Sequence, residues 1–160
     1  MKLKHLLFKT LNELFSEGRH QKVIQVDGKP PLKIDQVNGI GGVPYNQEIH
    51  YMGFEREMTP DEFLRLALNM YDKPTSWAQY KEMIDQRGLA SPFFDVSWVP
   101  EVKAWQITGH EGRHRMTAVK MFWGEDVKIP VHCFVVGMRP EIVTDEMKRA
   151  PLIKQKRSSY

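Results

Sequence analysis

The stretch Trp105-Gln106-Ile107-Thr108-Gly109-His110-Glu111-Gly112-Arg113-His114-Arg115-Met116-Thr117-Ala118 sets the organisation of the chain. Residues 102–107 read as a strand that ends at Thr108-Gly109, where glycine permits a turn. The spacing of Met116, Val119, Phe122 and Trp123 then predicts a helix over 111–123 with those side chains inward, stopped by Gly124. A strand thus passes into a helix through a turn that holds two glycines, one acid and two arginines.

Strands and helices follow one another on both sides of this turn. Residues 127–136 are the most strand-like stretch, with Ile129, Val131, Cys133 and Val135 on one face and Lys128, His132, Phe134 and Val136 on the other. Pro130 lacks a backbone donor, which places the start of this strand near a sheet edge. Upstream, Thr59-Pro60-Asp61-Glu62 predicts a capped helix start, and Ser76 with Gln79 predicts a second that runs to Gly88. Residues 23–26 read as a short strand entering an Asp27-Gly28 turn. From Lys29 to Asn46 the punctuation of Pro30-Pro31, Asn38-Gly39, Gly41-Gly42 and Pro44 predicts a long irregular segment, bordered by Tyr45, Asn46 and Tyr51. Leu7, Phe8, Leu11, Leu14 and Phe15 predict an amphipathic helix over 4–16, and Thr144 opens a last helix. The expected class is α+β: residues 1–150 form one domain with an N-terminal amphipathic helix, and 151–160 form a basic tail.

The chain has 160 residues, 41% hydrophobic and 27% charged, enough to bury a single core. No apolar run approaches the ~20 residues of a membrane span, and the basic-then-apolar start is too short for a signal peptide. The single cysteine excludes an internal disulfide and, with no zinc-like spacing of Cys and His, favours a reducing cytoplasmic compartment. A net charge of +3 permits contact with nucleic acid or nucleotides without requiring it. Lys148, Arg149, Lys154, Lys156 and Arg157 concentrate the excess at the C-terminal end.

The chemistry points to phosphate. A helix N-terminus offers unpaired N–H groups and partial positive charge, glycines let an anion approach the backbone, and guanidiniums grip its oxygens. Gly109, Gly112, Arg113, His114 and Arg115 are therefore the expected phosphate- or nucleotide-binding residues. Arg113 and Arg115 do not share a helix face, so one is expected in the pocket and the other packed or paired elsewhere. Glu111 is the odd member, because a carboxylate beside a phosphate needs a reason. It can help hold Mg²⁺ or take a proton from an attacking hydroxyl or water, which makes it the leading catalytic candidate. His110 and His114 can donate to phosphate or relay protons, with His110 the second catalytic candidate, or can be plain surface histidines. Trp77, Trp98, Trp105 and Trp123 read as packing rather than base-stacking platforms.

These residues resemble the phosphate-binding signature of the ParB/sulfiredoxin superfamily, where ParB-type proteins carry Gly-Glu-Arg-Arg-x-Arg at a helix start and sulfiredoxins carry Gly-Cys-His-Arg. Glu111, Arg113 and Arg115 match the ParB-type acid and arginines, and His114 and Arg115 match the sulfiredoxin pair. The Gly-His-Glu-Gly-Arg-His-Arg core, preceded by Met58-Thr59-Pro60 and Phe63-Leu64, also looks like bacteriophage ParB-like proteins. The resemblance implies a small mixed sheet flanked by helices, a nucleoside tri- or diphosphate with Mg²⁺, and a host-cytoplasmic setting. Arg113 stands where sulfiredoxin has cysteine, which excludes that redox chemistry, and Gly112 stands where ParB has arginine. No helix-turn-helix follows the last strand, so chromosome partition is not expected.

The functional expectation is phosphoryl transfer or nucleotide hydrolysis linked to DNA or nucleotide metabolism. Two alternatives stand beside it: a non-catalytic module that grips DNA or a host protein, with the basic tail as a DNA-contacting arm, and a metal-dependent nuclease.

Overall fold

A computed structural model describes residues 21–40, 53–69 and 75–157 of the chain. The expected helix over 4–16 and the loop residues Tyr45, Asn46 and Tyr51 lie outside the described residues.

Two sheets and four α-helices make up the described part, an α+β protein. The larger sheet comprises β3 (Gly53–Met58), β5 (Phe93–Val99), β6 (Ala104–Glu111), β7 (Ile129–Val135) and β8 (Leu152–Ile153), in the spatial order β3-β7-β5-β6-β8. It is mixed: β7 runs antiparallel to β3 and parallel to β5, while β6 runs antiparallel to β5 and parallel to β8. The smaller sheet places β2 (Leu32–Ile40) between β1 (Gln21–Ile24) and β4 (Leu89–Ser91). No helix among the described residues is long and apolar enough to cross a membrane.

The core follows from period-2 alternation on one face of the larger sheet. Phe94 and Val96 of β5, Trp105 and Ile107 of β6, and Ile129, Val131 and Cys133 of β7 are all essentially inaccessible. Helix α1 (Pro60–Leu66) covers this face, with the Phe63 ring stacked on Phe94 at 4.6 Å between centroids. The cap predicted for α1 is formed in full: the Thr59 hydroxyl accepts from Glu62 N, and the Glu62 carboxylate accepts from Thr59 N. Helix α3 (Arg113–Trp123) turns Met116, Val119 and Trp123 inward as the spacing requires. Its Lys120 ammonium meets Asp61 of α1 at 2.7 Å.

The structure corrects several expectations. The segment expected to be irregular contains β2, whose buried Leu32 and Ile34 flank exposed Lys33. Pairing on both sides supplies an order that nearby glycines and prolines hide, and the β2–β4 register breaks between Asp35 and Ile40. Strand β1 lies earlier than expected, with Val26 in the turn that follows it. Ser76 precedes α2 (Trp77–Arg87) but makes no side-chain cap bond. Strand β7 is interior from His132 on, while its start is paired on the β3 side alone, as Pro130 led us to expect: Pro130 pairs with Glu57 of β3, ahead of His132, the first β7 residue paired to β5. The segment expected to trail as a tail contributes β8, and Gln155 N donates to Leu66 O at 2.9 Å. Thr144 does cap α4 (Asp145–Lys148), accepting from Met147 N.

Candidate phosphate-binding cleft

Strand β6 does not stop at Thr108-Gly109 as expected; it continues to Glu111. The reason lies in its pairing with β5. Val96 pairs with Ile107 but Asp95 pairs with Gly109, so Thr108 is an extra residue, and its hydroxyl donates to Asp95 O. The bulge reverses which side chains face the core beyond it. His110 falls opposite Phe94 on the core-facing side, and Glu111 falls opposite Phe93 on the other.

The candidate residues are therefore parted. The His110 ring is held through Nδ1 by the Gln155 side-chain oxygen at 2.6 Å and does not line the cleft described below. Gly109 sits within the strand: a Cβ there would stand 2.8 Å from Asp95 Oδ2, so its lack of a side chain makes room for a carboxylate rather than for a phosphate. Burial pushes the Asp95 carboxyl above its ordinary value.

The turn itself is Gly112 alone, with φ +111° at the N-cap of α3. A Cβ there would approach Pro92 Cβ to 2.6 Å, so both the backbone conformation and the packing demand glycine. Met116 N bonds to Gly112 O, closing the first turn, and no side chain caps the helix. The amides of residues 113–115 precede the first intrahelical donor and are left for an outside acceptor.

Two arginines of this first turn line one cleft, and they differ. Arg115 is 8% exposed, and its Nη2 donates to Glu111 Oε2 at 2.6 Å. Arg113 has a buried Nη1 atom without a hydrogen-bond partner. A buried guanidinium N–H left unmade is costly, so that atom is primed for an acceptor. Arg115 pairs internally, yet both arginines line the same cleft, so the expectation that only one would lie in the pocket is not met.

Glu111, Gly112, Arg113, His114 and Arg115 line one wall of a cleft of about 390 Å³, and Gln79, Tyr80 and Met83 of α2 form the facing wall. The His114 ring lies 6.0 Å from Tyr80 at an interplanar angle of 15°, and 6.0 Å from Trp77. A cationic, amide-rich wall thus faces an aromatic and apolar one. Tyr80 and Met83 read from the sequence only as an apolar helix face. No local signal separates a half-buried cleft wall from a core face, because the distinction depends on where α2 stops touching α3.

Among the described residues Glu111 supplies the only carboxylate of the cleft wall, and one of its oxygens is engaged by Arg115. Mg²⁺ held by one carboxylate and a nucleotide's own phosphate oxygens fits such a wall. Among the described residues, no three His, Cys, Asp or Glu side chains gather as a metal cage.

Comparison with known proteins finds no match for this chain among protein-family models, curated proteins or solved structures.

Proposed function

We propose that this protein binds the phosphate groups of a nucleotide in the cleft at the start of α3, as a protein of the ParB/sulfiredoxin type. The observation that carries the reading is the buried, unpartnered Nη1 of Arg113, a residue of the wall of the cleft at the N-terminus of α3. With two guanidiniums against one carboxylate, the wall carries one net positive charge. The rings of Tyr80 and His114 give a nucleobase a flat surface next to that charge.

Phosphoryl transfer or hydrolysis at this site would rest on Glu111, the one cleft carboxylate among the described residues. It would orient the attacking hydroxyl or water and share in holding Mg²⁺, which neutralises charge on the phosphate oxygens. The 2.6 Å pair with Arg115 favours a second reading, because it accounts for the carboxylate without catalysis. In that reading the cleft is a binding module for nucleotide or nucleic-acid phosphates, assisted by exposed Lys154, Lys156 and Arg157.

Isothermal titration with ATP, ADP, CTP and GTP, with and without Mg²⁺, tests the binding. Saturable heat with at least one of them is expected, and silence with all four at millimolar concentration overturns the nucleotide reading. Where binding is found, phosphate release separates the two readings: Glu111→Gln abolishes turnover in a catalyst, and a binding module shows no turnover to lose.

A further inference from the structure

We propose a second ligand site, independent of the first, in the cleft between the β5–β6 hairpin tip and the α4–β8 segment, where a small carboxylate with a flat apolar ring binds. The cleft encloses about 560 Å³, within the range of sites that enclose small molecules. Its floor includes the Trp98 ring, set edge-on against Trp105 at 4.9 Å between centroids. Met147, Ala150 and the rings of Pro100 and Pro151 extend the apolar lining.

The cavity is preformed. Hydrogen bonds clamp its α4–β8 wall to the larger sheet: Trp105 Nε1 donates to Met147 O at 2.6 Å, Arg56 Nη1 to Ala150 O at 2.7 Å and to Lys148 O at 3.1 Å, and Trp105 N to Pro151 O at 2.9 Å. A wall so held neither collapses onto Trp98 nor has to be ordered when a ligand arrives. The opposite wall is set by the Pro100–Lys103 turn, closed by Lys103 N donating to Pro100 O. There Lys103 takes a left-handed conformation with φ +48°, the one non-glycine positive φ among the described residues. A lysine in a position that favours glycine or asparagine adds a cation to the cleft lining at some conformational cost.

Charge defines the ligand. Lys103 and Arg149 stand on opposite walls, and neither forms an ion pair among the described residues. Among the described residues Glu146 is the only acid of the lining, which leaves one net positive charge. Two cations in one lining with an indole and a thioether suit an anionic head on a flat apolar body. A carboxylate suits the planar guanidinium, and a ring suits Trp98 and Met147.

Two-dimensional ¹H–¹⁵N spectra of the full chain resolve indole N–H signals, and Trp98→Phe assigns the relevant one. Titration with 2-naphthoate is expected to shift the Trp98 indole signal saturably in the millimolar range. The neutral isostere 2-naphthamide, and 2-naphthoate with the Lys103→Gln/Arg149→Gln double variant, should each bind about tenfold more weakly. No saturable shift at Trp98, or equal binding of acid and amide, overturns the site. Both substituted residues are exposed, so the fold should survive; were it lost, the acid-against-amide comparison on the wild-type chain decides alone.

Discussion

Glu111 Oε2 and Arg115 Nη2 meet at 2.6 Å across the junction of β6 and α3, the carboxylate half-exposed and the guanidinium almost fully buried. The contact joins the end of a strand to the first turn of the helix that follows, with only Gly112 between the two elements. Removing the acid leaves a nearly buried cation without its partner. Glu111→Ala should therefore destabilise the protein by roughly 1–3 kcal/mol, a loss readable in chemical denaturation. The same substitution adds an unpaired cation to the cleft and should tighten binding of inorganic pyrophosphate. An unchanged denaturation midpoint would mean that the pair does not hold the junction.

Gly112 is the position where substitution is least tolerated. Its φ of +111° is strained for any L side chain, and an added methyl would collide with Pro92. Gly112→Ala should cost about 1–3 kcal/mol and weaken phosphate binding by tilting the first amides of α3. A thermal melt indistinguishable from wild type would contradict this.

Asp95 gives a pH-dependent prediction. Burial raises its carboxyl above the ordinary 3.8, so the folded state holds the proton more firmly than the unfolded state does. Stability is then lost as pH rises from 3.8 through the folded value. Asp95→Asn removes the ionisation and should raise the melting midpoint at pH 7, with the gain vanishing below about pH 3.8. A gain independent of pH would assign the effect to packing instead.

Cys133 behaves in the same sense at the alkaline end. Burial pushes its thiol from 9.0 up to about 12, so the unfolded chain releases this proton first and stability falls as pH climbs between those values. Cys133→Ala should lack that part of the alkaline loss. At neutral pH the native thiol should resist maleimide and react fully in denaturant; rapid native labelling would contradict its burial.

Local chemistry made much of the fold legible. The Thr59 to Glu62 cap, the inward face of α3 and the apolar Ile129, Val131 and Cys133 of β7 each depend on residues close in sequence. Other features are set at a distance. Strand β2 owes its order to partners on both sides, and β7 becomes interior where β5 pairing begins at His132. At the site, the helix start after Gly112 and the pairing of one of its arginines were readable, while the end of β6 and the presence of both arginines in one cleft were not. The bulge at Thr108 was not, since it is defined by register with β5. That one extra residue sends His110 to Gln155 and leaves Glu111 at the cleft.

The central claim is that Arg113 grips phosphate in the α3 cleft. Its most direct measurement is the side-chain ¹⁵Nε–¹H signal of Arg113, assigned with Arg113→Lys, followed during titration with pyrophosphate. A saturable shift of that signal, with binding about tenfold weaker in the lysine variant, is the predicted result. A stationary signal, or undiminished binding by the variant, would contradict the account.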